Sequence, residues 1–360
     1  MRICFIIGTL KFSGAEKVLT ALASHFAELG HDVHVVLTLA GRGDASGPDR
    51  PFSTHELVAD GVRPVRILRR LTRIRGIVAK VAPDVSISFG YANNINTIPA
   101  LVGNGVPHIV CERNNPLYDP PGRAPVWIRR ILYPLAAAFV FQTETIRELF
   151  PRGIRRRSAV IANPVIDTFP DRPREDGEGS ERRIVTVGRL SDRDKNQSML
   201  IRAFARLSDD FPDWVLELYG DGPDRQRYER MVAAVGLPDR VRFRGQVDDP
   251  GAALASADVF VLPSRTEGMP NALIEAMTAG VACVATDCSG GGAAALIVDG
   301  VNGLICANED EDALVASLRR VMQEPELRQD LGRSARRIRE THSLERIGRE
   351  WLETIHAQLR

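Results

Sequence analysis

Short apolar runs alternate with longer amphipathic segments through most of this sequence. The first run, RICFII at residues 2–7, lacks polar alternation and leads into a loop with a glycine. The segment that follows, residues 14–30, repeats its apolar residues at helical spacing and ends at Gly30. Buried strands without alternation, interleaved with helices, indicate a parallel sheet that is covered on both faces.

The same alternation occurs in both halves of the chain. Further strands of the first half are predicted at residues 32–38, 84–90, 108–113 and 138–143. Strands of the second half are predicted at residues 182–190, 214–222, 240–245, 258–264 and 280–287. The pattern predicts an α/β protein with two doubly wound domains in tandem. A ligand is then expected in the cleft between them, at the carboxyl ends of the strands.

The domain boundaries follow from a change in composition. Residues 166–182 are rich in proline, glycine and charge, which is typical of a linker. We therefore predict a first domain at residues 1–165, a second domain at residues 183–342 and a final helix at residues 343–360.

Composition and charge exclude some classes of protein. Of the 360 residues, 44% are hydrophobic and 26% are charged, and the formal net charge is +1. These values are typical of a globular protein and do not favour general nucleic-acid binding. The five cysteines are scattered, so we expect reduced thiols in a cytoplasmic protein. The N-terminal apolar run is too short for a signal peptide or a membrane span, so any membrane contact is expected from the surface.

Several common catalytic motifs are absent from the sequence. Neither half has G-x-G-x-x-G after its first strand, which disfavours a nicotinamide dehydrogenase, and there is no P-loop or G-x-S-x-G elbow. The seven histidines have no metal-ligand spacing. Asp192 and Asp194 lie among cations, which favours their interpretation as solvated loop acids, so no metal ion is expected.

Charged residues follow the predicted strands of the second half. VGRLSDRDKN places Arg189 and Lys195 after one strand, and SRTEGMPNALIE places Glu267 and Glu275 after another. Arginine and lysine can neutralise a diphosphate, and the N–H groups of a helix that begins near Pro270 can bind anions. Carboxylates accept hydrogen bonds from vicinal diols. These parts suit a nucleotide diphosphate joined to a sugar. The alternative is that both glutamates only offset a helix dipole.

The sequence resembles the retaining GT-B glycosyltransferases of the group 1, or family 4, type, which carry an E-x7-E motif. The resemblance covers most of the chain and is carried, in order, by FSGAEKVLTALASHFAELGHDV, VGRLSDRDKNQSMLIRAF, LYGDGPDR, VRFRGQV, PSRTEGMPNALIEAMTAGVACVATD and VDGVNGLI. CERNNP and SGAE are most similar to the branch that builds bacterial cell-surface or lipid-linked glycans.

The resemblance implies two Rossmann-like domains that face a central cleft, with the last helix crossing back to the first domain. It implies retaining transfer of a hexose or N-acetylhexosamine from a nucleotide-diphosphate sugar, with a UDP-sugar favoured and no cofactor. The donor would bind the second domain, and a glycan or polyprenyl-diphosphate-linked acceptor would bind the first. The implied location is cytoplasmic, with peripheral contact at the inner face of the cell membrane.

The resemblance also implies roles for individual residues. Arg189 and Lys195 would bind the diphosphate, Glu267 would bind the sugar and Glu275 would bind the ribose. Of these residues, Arg189, Lys195 and Glu267 would be catalytic. The implied donor-binding residues are Gly14, Gly188, Arg189, Lys195, Gln246, Val247, Glu267, Gly268, Met269, Pro270, Asn271, Ala272 and Glu275. Gly14 is expected in the loop after the first strand, and Gln246 and Val247 are expected near the base.

The acceptor side is expected in the first domain. Glu112 and Arg113 are assigned to it, although many relatives carry a histidine where this chain has Arg113. Relatives also tend to carry an acid where this chain has Ala295. A helix is predicted at residues 63–81, and it carries a basic stripe that includes Arg66, Arg69, Arg70 and Arg73. The stripe is either a solvated face or a surface for anionic lipid headgroups or a polyprenyl diphosphate.

Two other functions remain open from the sequence. A nucleotide-sugar epimerase would use the same fold, and a non-catalytic subunit could bind a sugar nucleotide without reaction.

Overall fold

A computed structural model of the chain describes residues 1–10, 14–39, 50–57, 63–166, 181–247 and 250–359, with the backbone alone for residues 63–66. The chain forms two compact units. Unit 1 consists of Met1–Ile166 and His342–Arg360, and unit 2 consists of Asp167–Thr341. Most of the predicted linker at 166–182 lies outside the described residues.

Unit 1 is built on a parallel sheet of seven strands. They are β1 (Arg2–Ile7), β2 (Asp32–Leu37), β3 (Ser53–Glu56), β4 (Val85–Phe89), β5 (His108–Glu112), β6 (Ala138–Phe141) and β7 (Ser158–Val160). Their order in the sheet is β3-β2-β1-β4-β5-β6-β7, and every neighbouring pair is parallel. The central strands β1, β4 and β5 are almost fully buried, and the buried positions of β4 include Ser86 and Ser88.

Helices cover both faces of this sheet. They are α1 (Gly14–Glu28), α2 (Arg63–Val81), α3 (Tyr91–Leu101), α4 (Arg123–Leu132), α5 (Glu144–Glu148) and α6 (Arg152–Arg155), with a 3-10 turn at Tyr133–Leu135. Helix α1 buries Leu22 and Phe26 against one face. Helix α2 buries Ile74 and Val78 against the other face. The bounds of α2 confirm the helix predicted at residues 63–81.

Unit 2 is built on a second parallel sheet. Its strands are β8 (Arg182–Val187), β9 (Trp214–Tyr219), β10 (Val241–Gly245), β11 (Val259–Leu262), β12 (Ala282–Thr286) and β13 (Leu304–Cys306), in the order β10-β9-β8-β11-β12-β13. Its helices are α7 (Gln197–Ala205), α8 (Arg225–Ala234), α9 (Gly251–Ala255), α10 (Asn271–Ala279), α11 (Glu311–Gln323), α12 (Pro325–Ala335) and α13 (Ile338–Thr341). The two doubly wound α/β units predicted from the sequence are therefore confirmed.

The last helix, α14 (Leu344–His356), returns to unit 1. Its Trp351 is buried and stacks on Phe89 of β4, with ring centroids 5.7 Å apart. Gly348 lets α1 approach closely, because a Cβ at that position would lie 2.6 Å from the ring of His25. The packing confirms that the C-terminal helix crosses back to the first domain. No helix among the described residues combines the length and apolar character that a membrane span needs.

His108 is buried at the start of β5 between two strand hydroxyls. Ser86 Oγ lies 3.0 Å from Nδ1, and Ser88 Oγ lies 3.0 Å from Nε2. Burial lowers the pKa of His108 to about 3, below the ordinary value near 6.5. The imidazole is therefore neutral in the folded protein and becomes protonated first in the unfolded chain. Its contribution to stability is complete above about pH 6.5 and is lost as the pH falls toward 3.

We predict that unfolding of unit 1 becomes easier as the pH falls below about 6.5 and that His108 contributes part of this pH dependence. Between about pH 6 and 4, one proton taken up on unfolding changes the free energy by about 1.4 kcal/mol per pH unit. His108→Gln should remove that part of the slope, measured by denaturant-dependent hydrogen exchange in β4 and β5. An unchanged slope in His108→Gln would show that the imidazole is already protonated in the folded state.

Candidate functional site

The order of strands in unit 2 gives the position of a candidate site. The chain passes from β8 outward to β9 and β10 and then returns to β11 on the other side of β8. Ligands of doubly wound sheets bind at this switch point, beyond the carboxyl ends of the strands. The segments that leave β8 and β11 there are residues 188–196 and residues 263–270.

These two segments are joined by an ion pair between Lys195 and Glu267. Lys195 Nζ lies 2.5 Å from Glu267 Oε1, and Ser264 Oγ donates to the same oxygen at 2.7 Å. The side chains are 26% and 12% exposed, respectively. The structure therefore brings together a cation and a carboxylate that are 72 residues apart in the chain. Both keep a part of their surface open to a ligand.

Arg189 lies on the same segment as Lys195 and is more exposed. Its Nη2 donates to Asp194 Oδ2 at 3.0 Å, and its carbonyl accepts a hydrogen bond of 2.9 Å from Gln197 Nε2. The guanidinium is otherwise open to solvent, since the side chain is 65% exposed. The second contact fixes the backbone to the first turn of α7. Arg189 can thus change partners without movement of the main chain.

Asp192 and Asp194 do not match their interpretation as solvated loop acids, which is wrong. Asp192 Oδ2 lies 3.0 Å from Arg227 and 3.8 Å from Arg265. Burial alone would raise the pKa of Asp192, but a hydrogen bond from Ser198 and the two arginines outweigh it and lower the pKa. The backbone carbonyl of Asp194 accepts a hydrogen bond from the amide of Arg265 at 2.9 Å. Both acids organise the loop through arginines.

The segment before α10 packs against backbone at Gly292. A Cβ on Gly292 would lie 2.0 Å from the carbonyl oxygen of Gly268 and 2.8 Å from Pro270 Cδ, so only glycine fits. The amide of Glu267 also donates to the carbonyl of Ser289 at 3.0 Å. Residues 267–270 are therefore held in place by main-chain contacts with Ser289 and Gly292.

Helix α10 begins after Pro270, whose side chain makes no capping hydrogen bond. The first turn includes Asn271 and Ala272, and the preceding Met269 is buried. Backbone N–H groups in such a turn point along the axis toward a potential anion. Glu275 is the fifth residue of α10, and the first turn contains no acid. The alternative in which both glutamates only offset the helix dipole is therefore not supported by the geometry.

The other residues predicted for the donor follow neighbouring strands. Gly188 directly follows β8, and a Cβ on Gly220, which follows the neighbouring strand β9, would lie 2.0 Å from the carbonyl oxygen of Gly188. Gln246 and Val247 follow β10, which is an edge strand. They lie two strands from β8, or about 10 Å at the usual strand spacing. They share the carboxyl edge with the ion pair but do not contact it.

Residues predicted for unit 1 are more dispersed. Gly14 is the first residue of α1, so its placement in the loop after the first strand is wrong. Arg69 and Arg73 are exposed on α2, and Arg70 is half-buried. The side chain of Arg66 lies outside the described residues.

Glu112 belongs to a buried ion pair. Arg129 Nε lies 3.2 Å from its carboxylate, and the Tyr133 hydroxyl donates to it at 2.5 Å. Burial alone would lower the pKa of Arg129, but the Glu112 carboxylate and Tyr133 raise it. The pair anchors α4 to β5. As placed, Glu112 does not reach the surface, so its assignment to the acceptor side lacks a structural basis.

Arg113, the next residue, lies on the other side of the strand end. It is 7% exposed, its Nη2 donates to Asn163 Oδ1 at 2.7 Å, and its guanidinium lies 5.2 Å from the centre of the Phe89 ring. Burial lowers the pKa of Arg113, and the neighbouring Cys111 opposes this shift only in part. The cation is therefore held inside unit 1 at the carboxyl edge of its sheet.

Sequence reasoning missed several residues that complete these sites. Ser264 precedes Glu267 by three residues, and its role requires the turn of 263–270 to be known. Gln142 and Asn163 contact the group around Arg113. The sequence held a signal for Asn163. The segment IANPV at residues 161–165 directly follows a short run that forms strand β7 in the structure.

Comparison with known proteins covers nearly the whole chain. Residues 13–164 match the family model "Glycosyl transferase 4-like domain", and residues 168–338 match "Glycosyl transferases group 1". An α-1,4-N-acetyl-D-galactosaminyltransferase of Campylobacter jejuni is 29% identical, over 99% of this chain and 98% of its own. The name of that enzyme gives its substrate as GalNAc-alpha-(1->4)-GalNAc-alpha-(1->3)-diNAcBac-PP-undecaprenol.

Solved structures share the fold at low identity. Anabaena Alr3699/HepE, in complex with UDP and glucose, has a TM-score of 0.86 at 18% identity and covers 99% of this chain and 100% of its own. Sucrose-phosphate synthase from Thermosynechococcus elongatus has a TM-score of 0.84 at 18% identity and covers 100% of this chain and 99% of its own. The chain belongs to the GT-B-fold glycosyltransferases of the group 1, family 4 type.

Proposed function

We propose that this protein transfers a hexosyl or N-acetylhexosaminyl group from a nucleotide-diphosphate sugar to an acceptor hydroxyl, with retention at the anomeric carbon. The observation that carries the proposal is the Lys195–Glu267 pair at the switch point of unit 2, on the segments that carry Arg189 and lead into α10. Cations and helix N–H groups suit a diphosphate, and carboxylates suit sugar hydroxyls. Unit 2 is the proposed donor domain, and unit 1 is the proposed acceptor domain.

A UDP-sugar is the proposed donor. Support comes from the fold relative from Anabaena, which was solved with UDP and glucose. Glu275 is half-buried on α10 and is proposed to hold the ribose. Gln246 and Val247, at the same edge of the sheet, are proposed to lie near the base.

The proposed reaction breaks the bond between the anomeric carbon and the leaving phosphate oxygen. Lys195, Arg189 and the N–H groups of α10 stabilise the negative charge that develops on the diphosphate. The acceptor hydroxyl attacks from the face that the leaving group vacates, and its proton passes to the leaving phosphate oxygen. No protein base is needed in this scheme, and Glu267 positions the sugar.

Catalysis without a metal ion is part of the proposal. Asp192, on the loop that carries Arg189 and Lys195, is paired with Arg227 and lies near Arg265. These arginines occupy the carboxylate that a metal ion would need, and the charge of the diphosphate is balanced by Lys195 and Arg189.

A lipid-linked glycan precursor is the proposed acceptor. The Campylobacter jejuni relative supports it, because the substrate in its name is a glycan linked to undecaprenol diphosphate. A peripheral contact of unit 1 with an anionic membrane is proposed with it, at the cytoplasmic face. Helix α3 packs between α2 and α4, and both outer helices expose apolar side chains beside arginines. Trp127 and Ile131 of α4 are 59% and 66% exposed.

The two alternative functions predict different behaviour of the donor. An epimerase would convert the sugar nucleotide without an acceptor, and a non-catalytic subunit would bind it without conversion. Incubation of the donor alone, followed by analysis of the sugar, identifies an epimerase. Incubation of the donor with acceptor then separates a transferase from a non-catalytic subunit, because only the transferase forms a glycosylated product.

The first prediction for this site concerns the cations. Lys195→Ala and Arg189→Ala should each lower turnover by about 10²-fold or more at saturating donor, because each removes charge stabilisation from the leaving diphosphate. The matched control is Arg193→Ala, which removes an exposed arginine from the same loop and should keep turnover. Steady-state kinetics, with and without EDTA, provide the measurement. Near-normal turnover of either variant would contradict the diphosphate assignment.

The second prediction separates the two glutamates. Glu275→Gln should weaken UDP binding about 10-fold, because a charge-assisted hydrogen bond to the ribose is lost. Glu267→Gln should keep or improve UDP binding, since it releases Lys195, while transfer falls. Calorimetry with UDP and a transfer assay provide the comparison. Equal losses of UDP affinity in both variants would leave no separate roles for sugar and ribose.

The third prediction concerns the membrane. Arg69→Gln, Arg70→Gln and Arg73→Gln combined, or Trp127→Ala with Ile131→Ala, should lower salt-sensitive binding to anionic liposomes and transfer to a lipid-linked acceptor. Each basic residue near such a surface contributes about 1 kcal/mol. UDP affinity should not change.

The matched control for this prediction removes three exposed arginines in and directly after α6. Arg152→Gln, Arg155→Gln and Arg156→Gln make the same change in net charge at another surface. Liposome co-sedimentation compares the variants. Equal loss in the control would reduce the effect to net charge, and efficient transfer by the α2 variant would show that its stripe is a solvated face.

A further inference from the structure

Three buried polar side chains meet at the carboxyl edge of the sheet in unit 1. Arg113 follows β5, Gln142 follows β6 and Asn163 follows β7. Arg113 Nη2 and Gln142 Nε2 both donate to Asn163 Oδ1, at 2.7 and 2.8 Å. We call these three residues the Arg113 cluster. All three residues are more than nine-tenths buried.

The hydrogen bonding of the Arg113 cluster is incomplete. Within the part of the chain that the structure describes, Arg113 Nε and Gln142 Oε1 are buried and have no hydrogen-bond partner. Most buried polar atoms in folded proteins have one, so each exception calls for a reason. A donor and an acceptor that lie unsatisfied in one cluster are the arrangement expected around a polar ligand.

The charge of the cluster is also uncompensated. No carboxylate of the described residues forms an ion pair with Arg113. The adjacent Glu112 is already bound by Arg129 and Tyr133. The Phe89 ring, 5.2 Å from the guanidinium, is a weak substitute for an anion. A guanidinium stays charged at every pH at which the protein is folded, so it cannot escape the cost of burial by losing its proton.

The location fits a ligand from outside the chain. Ligands of doubly wound sheets bind beyond the carboxyl ends of the strands, and the cluster lies there in unit 1. A guanidinium presents its N–H groups in a planar fork that matches the two oxygens of a carboxylate or the oxygens of a phosphate.

We propose that the Arg113 cluster binds an oxyanion, a carboxylate or a phosphate, on the substrate held by unit 1, so that the enzyme selects an acidic substrate over its neutral analogue. That the ligand is a substrate rests on the proposed transferase function, but the anion site itself can be tested without turnover. Arg113 supplies the charge, and Asn163 holds the guanidinium in place. Gln142 restricts the position of the Arg113 guanidinium indirectly, because both side chains donate to Asn163 Oδ1.

The competing explanation is that Arg113 only braces the strand ends. In that case, its loss would lower the melting temperature of the ligand-free protein and reduce turnover of acidic and neutral substrates equally. A site for an anion behaves differently. Its occupation raises the melting temperature of the protein, and the rise disappears with the cation.

The test uses the full chain with Lys195→Ala and Arg189→Ala, which removes the proposed diphosphate cations of unit 2. Inorganic phosphate, glucuronate and glucose are titrated into this background while the melting temperature is measured. We expect phosphate or glucuronate to raise it and glucose not to do so. A response to glucuronate identifies a carboxylated sugar, and a response to phosphate alone identifies a phosphate group.

Two further variants in the same background assign the response to Arg113. Arg113→Gln should abolish it, and Arg113→Lys, which keeps the charge but loses the fork, should weaken anion affinity at least 10-fold. If Arg113→Gln does not fold, Arg113→Lys still decides, because a structural brace would leave anion affinity unchanged. No response to either anion, or a response that persists without Arg113, overturns the proposal.

UDP binding to the chain that retains Lys195 and Arg189 distinguishes this proposal from the proposed donor function. A chain that fails to bind UDP contradicts the donor assignment, while the anion titrations still report on Arg113. A chain that binds UDP equally well with Arg113→Gln, but loses the anion response, supports two separate sites.

Discussion

Both sheets are parallel and covered on both faces, and this constraint decides where the chemistry of the molecule lies. The central strands β1 and β11 are largely apolar and nearly fully buried, and β4 adds only the buried Ser86 and Ser88, so these strands offer little chemistry of their own. Polar groups that must reach a ligand can only follow the strands, and parallel strands end at a common edge. The Lys195–Glu267 pair in unit 2 and the Arg113 cluster in unit 1 are consequences of the same rule. Each combines side chains that are far apart in sequence.

The two edges differ in how their cations are balanced. In unit 2, Lys195 pairs with Glu267, and Arg189 pairs with Asp194. Under the proposed function, a diphosphate would replace carboxylates as partners of these cations, so that binding would be an exchange of ion pairs. Such an exchange would release Glu267 for the hydroxyl groups of the sugar. In unit 1, Arg113 has no such internal substitute among the described residues. It depends on an aromatic ring and an amide instead.

The sequence predicted the architecture well because apolar runs report burial directly. It missed β3, β7 and β13, which all lie at sheet edges. All three strands are only three or four residues long, and STHE in β3 carries no apolar pattern at all. The sequence also brought Lys195 and Glu267 to one edge by topology, but it could not show that they touch. Asp192 was misjudged for the same reason: its partners Arg227 and Arg265 come from distant elements, and only the folded loop reveals them.

Acceptor choice cannot be derived from the fold, because solved structures that share it include a protein crystallised with UDP and glucose and a sucrose-phosphate synthase. What can differ between such proteins is the edge and the surface of the first unit. Here that unit exposes Trp127 and Ile131 on α4 and holds a buried arginine at its sheet edge. An apolar face beside arginines suits a lipid surface, and a buried cation suits an acidic group. A membrane-borne glycan precursor with an acidic group would satisfy both features at once, whereas a neutral soluble sugar would satisfy neither.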